Sequence, residues 1–174
     1  MIDFYYVDNE YIEFLQSIEI KKRGLTRVPN MLYNNQNRKF VVGVVLDFPN
    51  YKYYAPITHY KIQKPNNILI NITSDKKNPI KGSIRFNYMF PVLDKYVEKV
   101  AINNIPDIKQ RRLMLKEYNF CVNNEQSILN MAMKTYIEVV FKHDTNLSEN
   151  SCDFRLLEKA LNESPTIITV GDSR

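Results

Sequence analysis

Seven consecutive residues without a polar side chain, Phe40-Val41-Val42-Gly43-Val44-Val45-Leu46, dictate a strand that is covered on both faces. A run this short cannot cross a bilayer, and its valines favour a pleated backbone. The rest of the chain must therefore supply a packing layer on each side. Phe48-Pro49-Asn50 makes a turn, and Tyr51 to Ile57 reads as the returning arm of a hairpin. Ile68 to Thr73 alternates as a strand, Asp75 to Gly82 is a charged turn, and Ser83 to Met89 forms a strand that stops at Pro91. Ile2 to Val7 and Val97 to Ile102 complete five or six short strands, with no helix among the central ones.

Helical spacing is confined to the flanks. Tyr11, Ile12, Leu15 and Ile18 mark an amphipathic helix over Asn9 to Ile18, and Lys21 to Asn37 is a basic, polar loop. After the helix-starting pair Pro106-Asp107, Ile108, Leu115, Tyr118 and Val122 share one stripe. Glu125 to Phe141 places Ile128, Leu129, Ala132, Tyr136, Val139 and Val140 at helical spacing. Past a polar loop from Lys142 to Ser151, Asp153 caps a short helix through Leu161. The expected fold class is α+β: a small antiparallel barrel or curled sheet with a helical C-terminal half packed on it. Residues 1–163 form one domain in this reading, and 164–174 a disordered tail. Cys121 and Cys152 lack metal-ligand spacing, and the first residues have neither a basic n-region nor an apolar h-region. Reduced thiols in the cytoplasm are expected.

Charge is distributed unevenly. Between Ile20 and Val92 stand thirteen lysines and arginines against two aspartates, whereas the remainder carries eleven basic and seventeen acidic residues. Crowded positive charge within one small domain suits a polyanionic partner, because it speeds encounter and displaces counterions from phosphates. Tyrosines 33, 51, 53, 54 and 60 lie among these charges and offer faces on which unpaired bases stack. Several chemistries are excluded. The four glycines do not cluster into a phosphate loop, no His/Cys/carboxylate spacing suggests a metal, and no G-x-S-x-G elbow occurs. Acids are scarce where the chain is most basic, which argues against a two-metal nuclease.

Metal-free RNA scission needs a base for the ribose 2′-hydroxyl, a cation or donors for the charge building on phosphate, and an acid for the leaving oxygen. One compact cluster has these functions: Ala55-Pro56-Ile57-Thr58-His59-Tyr60-Lys61. His59 is an imidazole suited to proton transfer near neutrality, Lys61 is a fixed positive charge, and Thr58 a hydroxyl donor. The other histidine, His143, sits in an acidic polar loop.

Four segments then carry a family resemblance: Phe4-Tyr5-Tyr6 with Tyr11-Ile12; Phe40 to Leu46 leading into Tyr54-Ala55-Pro56-Ile57-Thr58; Gly82-Ser83-Ile84-Arg85-Phe86-Asn87-Tyr88-Met89-Phe90-Pro91-Val92; and Cys152-Asp153-Phe154-Arg155-Leu156-Leu157-Glu158. In this order the chain resembles the ToxN/AbiQ endoribonuclease toxins of type III toxin–antitoxin and phage-abortive systems. The resemblance implies an SH3-like barrel of the Kid/MazF toxin type, and metal-independent, cofactor-free cutting of RNA, often at A-rich sites. It implies inhibition by a tandem-repeat antitoxin RNA that the toxin processes and binds, often in a closed ring of alternating protein and RNA. At the site it matches Thr58, His59 and Lys61, with His59 replacing a second hydroxyl residue, and Tyr33 as the loop tyrosine before the Phe40 strand. A family tyrosine on the long helix falls at Leu115 here, with Tyr118 one turn later.

The expected mechanism has Lys61 stabilising phosphorane charge, Thr58 donating to a phosphate oxygen, and His59 or Tyr33 handling a proton. It leaves a 2′,3′-cyclic phosphate and a 5′-hydroxyl. Arg38, Lys39, Lys52, Tyr54, Lys64, Arg85 and Asn87 are assigned to RNA binding. Two other readings fit the same residues: a non-catalytic RNA-binding module, and a scaffold that docks an acidic protein partner.

Overall fold

The computed structural model describes residues 1–33, 37–142 and 145–162. The expected tail and His143 lie outside them. The chain runs through β1 (Asp3–Val7), α1 (Asn9–Arg23), β2 (Leu32–Tyr33), β3 (Asn37–Arg38), β4 (Val41–Phe48), β5 (Tyr51–Thr58), β6 (Asn67–Asn71), β7 (Ile80–Arg85), β8 (Phe90–Val92) and β9 (Val97–Lys99). Helices α2 (Ile108–Asn123), α3 (Glu125–Val140), α4 (Thr145–Glu149) and α5 (Phe154–Asn162) follow. The α+β class is as expected. Among the described residues no helix is long and apolar enough to cross a membrane.

Seven strands form one antiparallel sheet in the order β6-β7-β5-β4-β1-β9, with β8 on β5. Strand β4 is buried along most of its length, as its unbroken apolar run requires. Strand β5 pairs with β4 on one side and divides its other side between two partners. Lys52, Tyr53 and Tyr54 face β8, whereas Ile57 and Thr58 face β7. The switch falls at Ala55-Pro56, where Pro56 has no N–H to give to a ladder. The strand expected from Ser83 to Met89 therefore ends at Arg85, and a 3₁₀ turn over Phe86–Tyr88 carries the chain from β7 to β8. Among the described residues no ladder joins β6 to β9, so the sheet is open and is not the SH3-like barrel of the Kid/MazF type that the resemblance implied. Helix α2 packs against β6 near one end of the path and against β1 near the other, and so spans the gap.

Two buried carboxylates tie the helices down. Glu158 of α5 accepts hydrogen bonds from the Tyr53 hydroxyl of β5 and the Tyr136 hydroxyl of α3, at 2.9 and 2.7 Å. Glu19 of α1 accepts from the Thr26 hydroxyl and from the backbone N–H groups of Arg27, Val28 and Asp153, and it pairs with Arg23 at 3.0 Å. Helix α1 runs to Arg23, past the expected Ile18. Lys21, Lys22 and Arg23 complement the C-terminal dipole, and Gly24 (φ 73°) closes the last turn. Part of the basic loop is thereby structural: Arg23 and Arg27 donate to the Glu149 carbonyl. The loop from Lys142 to Ser151 contains the short helix α4, which carries too few apolar residues to show a period.

Candidate functional site

Residue Thr58 ends β5 at a tight crossing. A Cβ on Gly82 of β7 would lie 2.2 Å from the Thr58 carbonyl oxygen, so only glycine lets the two backbones approach this closely. The crossing places Lys81 beside the Thr58-His59 corner. Thr58 Oγ1 accepts weakly from the Tyr60 N–H at 3.4 Å and turns the chain out of the strand.

Around this corner lies a cleft of about 120 Å³, lined by Ile57, Thr58 and His59, by Arg38-Lys39-Phe40, by Lys81, and by Gln110, Leu113, Met114 and Glu117 of α2. On the other side of Thr58, His59 and Lys39 a second hollow of about 170 Å³ is walled by Pro29, Asn30 and Met31. Thr58, His59 and Lys39 thus line two adjoining depressions, with Arg38 and Lys81 in the first.

The cations are held in place. Lys39 donates to the Asn30 carbonyl at 2.9 Å, and Arg38 pairs with Glu98 at 2.9 Å while lying over the Tyr6 ring at 4.4 Å. Lys81 pairs with Asp75. Lys61 does not line the cleft: it is exposed and donates to Asn78 Oδ1 at 3.1 Å. The lysine that β-pairing brings to the corner is Lys81. Strand β2 ends at Tyr33, whose side chain lies outside the described residues.

The remaining assigned residues divide. Lys64, Arg85 and Asn87 gather in a groove of about 630 Å³ with Tyr88, Lys134 and Asn146. The Arg85 guanidinium stacks on the rings of Tyr60 and Tyr88, each at 4.6 Å, and Tyr60 follows His59 directly in the chain. Two assignments require correction, and a third lies apart from the cleft. Asn87 is buried and its amide donates to the Asn150 carbonyl at 2.7 Å, so it shapes the groove. Tyr54 is 2% exposed, edge-on to Tyr5 and pressed against Gly43, so its ring offers no stacking face. Lys52 stands at the far end of β5, paired with Asp94 at 2.8 Å, which holds its ammonium above its usual pKa.

Helix α2 contributes a residue that the sequence reading did not single out. The expected stripe of Ile108, Leu115, Tyr118 and Val122 is turned about one position from the observed one, in which Met114, Glu117 and Cys121 are buried and Ile108 and Val122 exposed. Tyr118 packs edge-on against Phe4 at 5.7 Å, and neither it nor Leu115 lines the cleft. Glu117 stands at a core-facing position, and burial pushes its carboxyl up to about 7, with Lys81 pulling the other way. An acidic residue three places from Met114 and four from Cys121 was the available signal. Among the described residues no three His, Cys, Asp or Glu side chains converge as metal ligands would.

The family described as "Toxin ToxN, type III toxin-antitoxin system" matches residues 3–162. The chain is 28% identical over 164 residues to Endoribonuclease ToxN of Pectobacterium atrosepticum, covering 90% of each. It is 26% identical over 168 residues to Endoribonuclease AbiQ of Lactococcus lactis subsp. lactis, covering 89% of this chain and 85% of that protein. A solved structure from a type III toxin–antitoxin system, in which a non-coding RNA pseudoknot selectively inhibits the toxin, superposes with a TM-score of 0.80 at 24% identity. That match covers 93% of this chain and 96% of the other, and it shows a shared fold.

Proposed function

The chain belongs to the ToxN toxin family of type III toxin–antitoxin systems, and from that membership we propose that it is an endoribonuclease toxin cutting single-stranded RNA at the Thr58-His59 corner. The observation that carries this reading is the position of the corner. It lies open to a cleft bordered by Arg38, Lys39 and Lys81, where an RNA backbone meets positive charge on two sides.

The chemistry follows from the groups present. The ribose 2′-hydroxyl attacks the adjacent phosphorus, the P–O5′ bond breaks, and a 2′,3′-cyclic phosphate and a 5′-hydroxyl result. Lys81 and Lys39 oppose the charge that develops on the phosphate oxygens, and Thr58 donates its hydroxyl hydrogen to one of them. His59, exposed at the rim, exchanges protons with water and with the reacting oxygens. Lys61, donating to Asn78 outside the cleft, takes no direct part in this step, and Tyr33 keeps a proton-handling role on the resemblance alone. The Arg85-lined groove beyond Tyr60 holds the continuing strand by its phosphates.

Finer features rest on the resemblance: A-rich cleavage sites, a tandem-repeat antitoxin RNA that the toxin processes, a closed protein–RNA ring, action on cellular and phage RNA in the cytoplasm, and one domain over residues 1–163. A direct test incubates the purified chain with A-rich RNA in EDTA, beside the same RNA carrying a 2′-deoxynucleotide at the cut. Fragments ending in cyclic phosphate are expected from the first and none from the second. Cleavage of the deoxy substrate refutes the route, and an intact, shifted band identifies an RNA-binding module.

A further inference from the structure

Among the described residues three glutamates are buried, and their surroundings divide them. Glu19 accepts from three backbone N–H groups and a hydroxyl beside Arg23, and Glu158 accepts from two tyrosine hydroxyls. Both are satisfied structural groups. Glu117, 8% exposed, pairs with no cation among the described residues and lines the cleft instead. A largely buried carboxyl that no cation pairs with is costly to ionise, and one that lines a cleft is a candidate for chemistry.

The cleft around Glu117 holds the groups that scission needs. Glu117 projects from α2 onto the wall it shares with Thr58, His59 and Lys81. Its charged neighbours are few. Lys81 acts on it across the cleft, His59, Arg38 and Lys39 complete the lining, and Cys121 lies one turn along the same helix. Of the elements packed on α2, β6 and the turn at Ile102–Asn104 carry no titratable side chain. Strand β1 brings Asp3, held by Lys99, together with Tyr5 and Tyr6. Helix α3 brings Glu125, held by the N-terminal ammonium, with Lys134 and Glu138 in the other groove. With burial dominant, the Glu117 carboxyl passes between its acid and base forms near pH 7.

We propose that Glu117 is a proton-transfer residue of the cleavage site, with its carboxylate taking the proton from the attacking 2′-hydroxyl. As the 2′-oxygen bonds to phosphorus, that proton passes to Glu117, and as P–O5′ breaks, the departing O5′ receives a proton from the His59 imidazolium. Both groups then exchange with water and return to their starting forms. The step rests on the reading above, that the RNA is cut by its own 2′-hydroxyl.

The test is Glu117→Gln, which keeps the shape and removes the titration. Single-turnover cleavage of A-rich RNA is followed from pH 5 to pH 9, with the affinity for a 2′-deoxy analogue measured in parallel. The rate at pH 8 is expected to fall roughly 10²–10⁴-fold. The limb of the pH profile that rises through about 7 disappears, and deoxy-RNA affinity is unchanged. Glu117→Asp, which keeps an acid–base group, restores part of the rate and a rising limb. A Gln variant that keeps the native rate and limb overturns the proposal. So does a loss of rate matched by an equal loss of deoxy-RNA affinity, which marks a structural role. Native protein that cuts deoxy and ribose substrates alike sinks the underlying reading, and this inference with it.

Discussion

Replacing Glu117 with glutamine also tests the environment of its carboxyl with no substrate present. The folded group titrates at about 7, against an ordinary value of 4.5. Between those values the folded chain holds a proton that the unfolded chain has released, so the native protein loses stability as pH rises through the window and levels off above it. From 4.5 to about 7, at ~1.4 kcal/mol per pH unit, the loss amounts to about 3 kcal/mol. Glutamine is neutral throughout. The stability of the variant relative to native protein should therefore grow by about 3 kcal/mol between pH 4.5 and pH 8, in favour of the variant. For a domain of this size that corresponds to a gain in Tm of roughly 6–12 °C at the alkaline end. Urea denaturation of both proteins at several pH values between 4.5 and 8.5 measures the difference directly, because every other titrating group is common to the pair. A difference that stays flat over this range refutes the claim that burial raises the Glu117 carboxyl.

Glu19→Gln should act in the opposite direction. An amide cannot accept from all the donors around Glu19, so urea denaturation at pH 7 should show a loss of about 3–5 kcal/mol; a loss under ~1 kcal/mol would disprove the bracing role given to Glu19 at the α1–α5 junction. Arg85→Ala should lower the slope of log affinity against log salt for single-stranded RNA by about 0.7, the mark of one lost phosphate contact. An unchanged slope would assign the Arg85 stack on Tyr60 and Tyr88 to packing alone.

Local pattern was enough to read the long elements and their order, though not the short β2, β3, β8 and α4. The unbroken apolar run from Phe40 to Leu46 specified the doubly covered strand, Phe48-Pro49-Asn50 its hairpin, and Pro106-Asp107 the change from strands to helices. Asp153 caps α5 as its position implied, accepting from the Leu156 N–H at 3.0 Å. These features depend on residues a few places apart, which is the range over which backbone preference and side-chain periodicity act.

The membership of the cleft depended on tertiary structure. Thr58 and His59 were legible as a cluster, but the sequence neighbour Lys61 points to Asn78, while Lys81 reaches the corner through pairing between β5 and β7. Tyr54 reads as a base platform until its ring is found sealed against Gly43. Glu117 joins the site because α2 lies across the open sheet with one face turned inward, and a rotation of about one residue in that face exchanges Glu117 for Tyr118. Spacing along a chain fixes which side chains share a strand or helix face. Which faces then meet is settled only when distant segments bury their apolar surfaces together, and that balance among many weak contacts is not written in any single stretch.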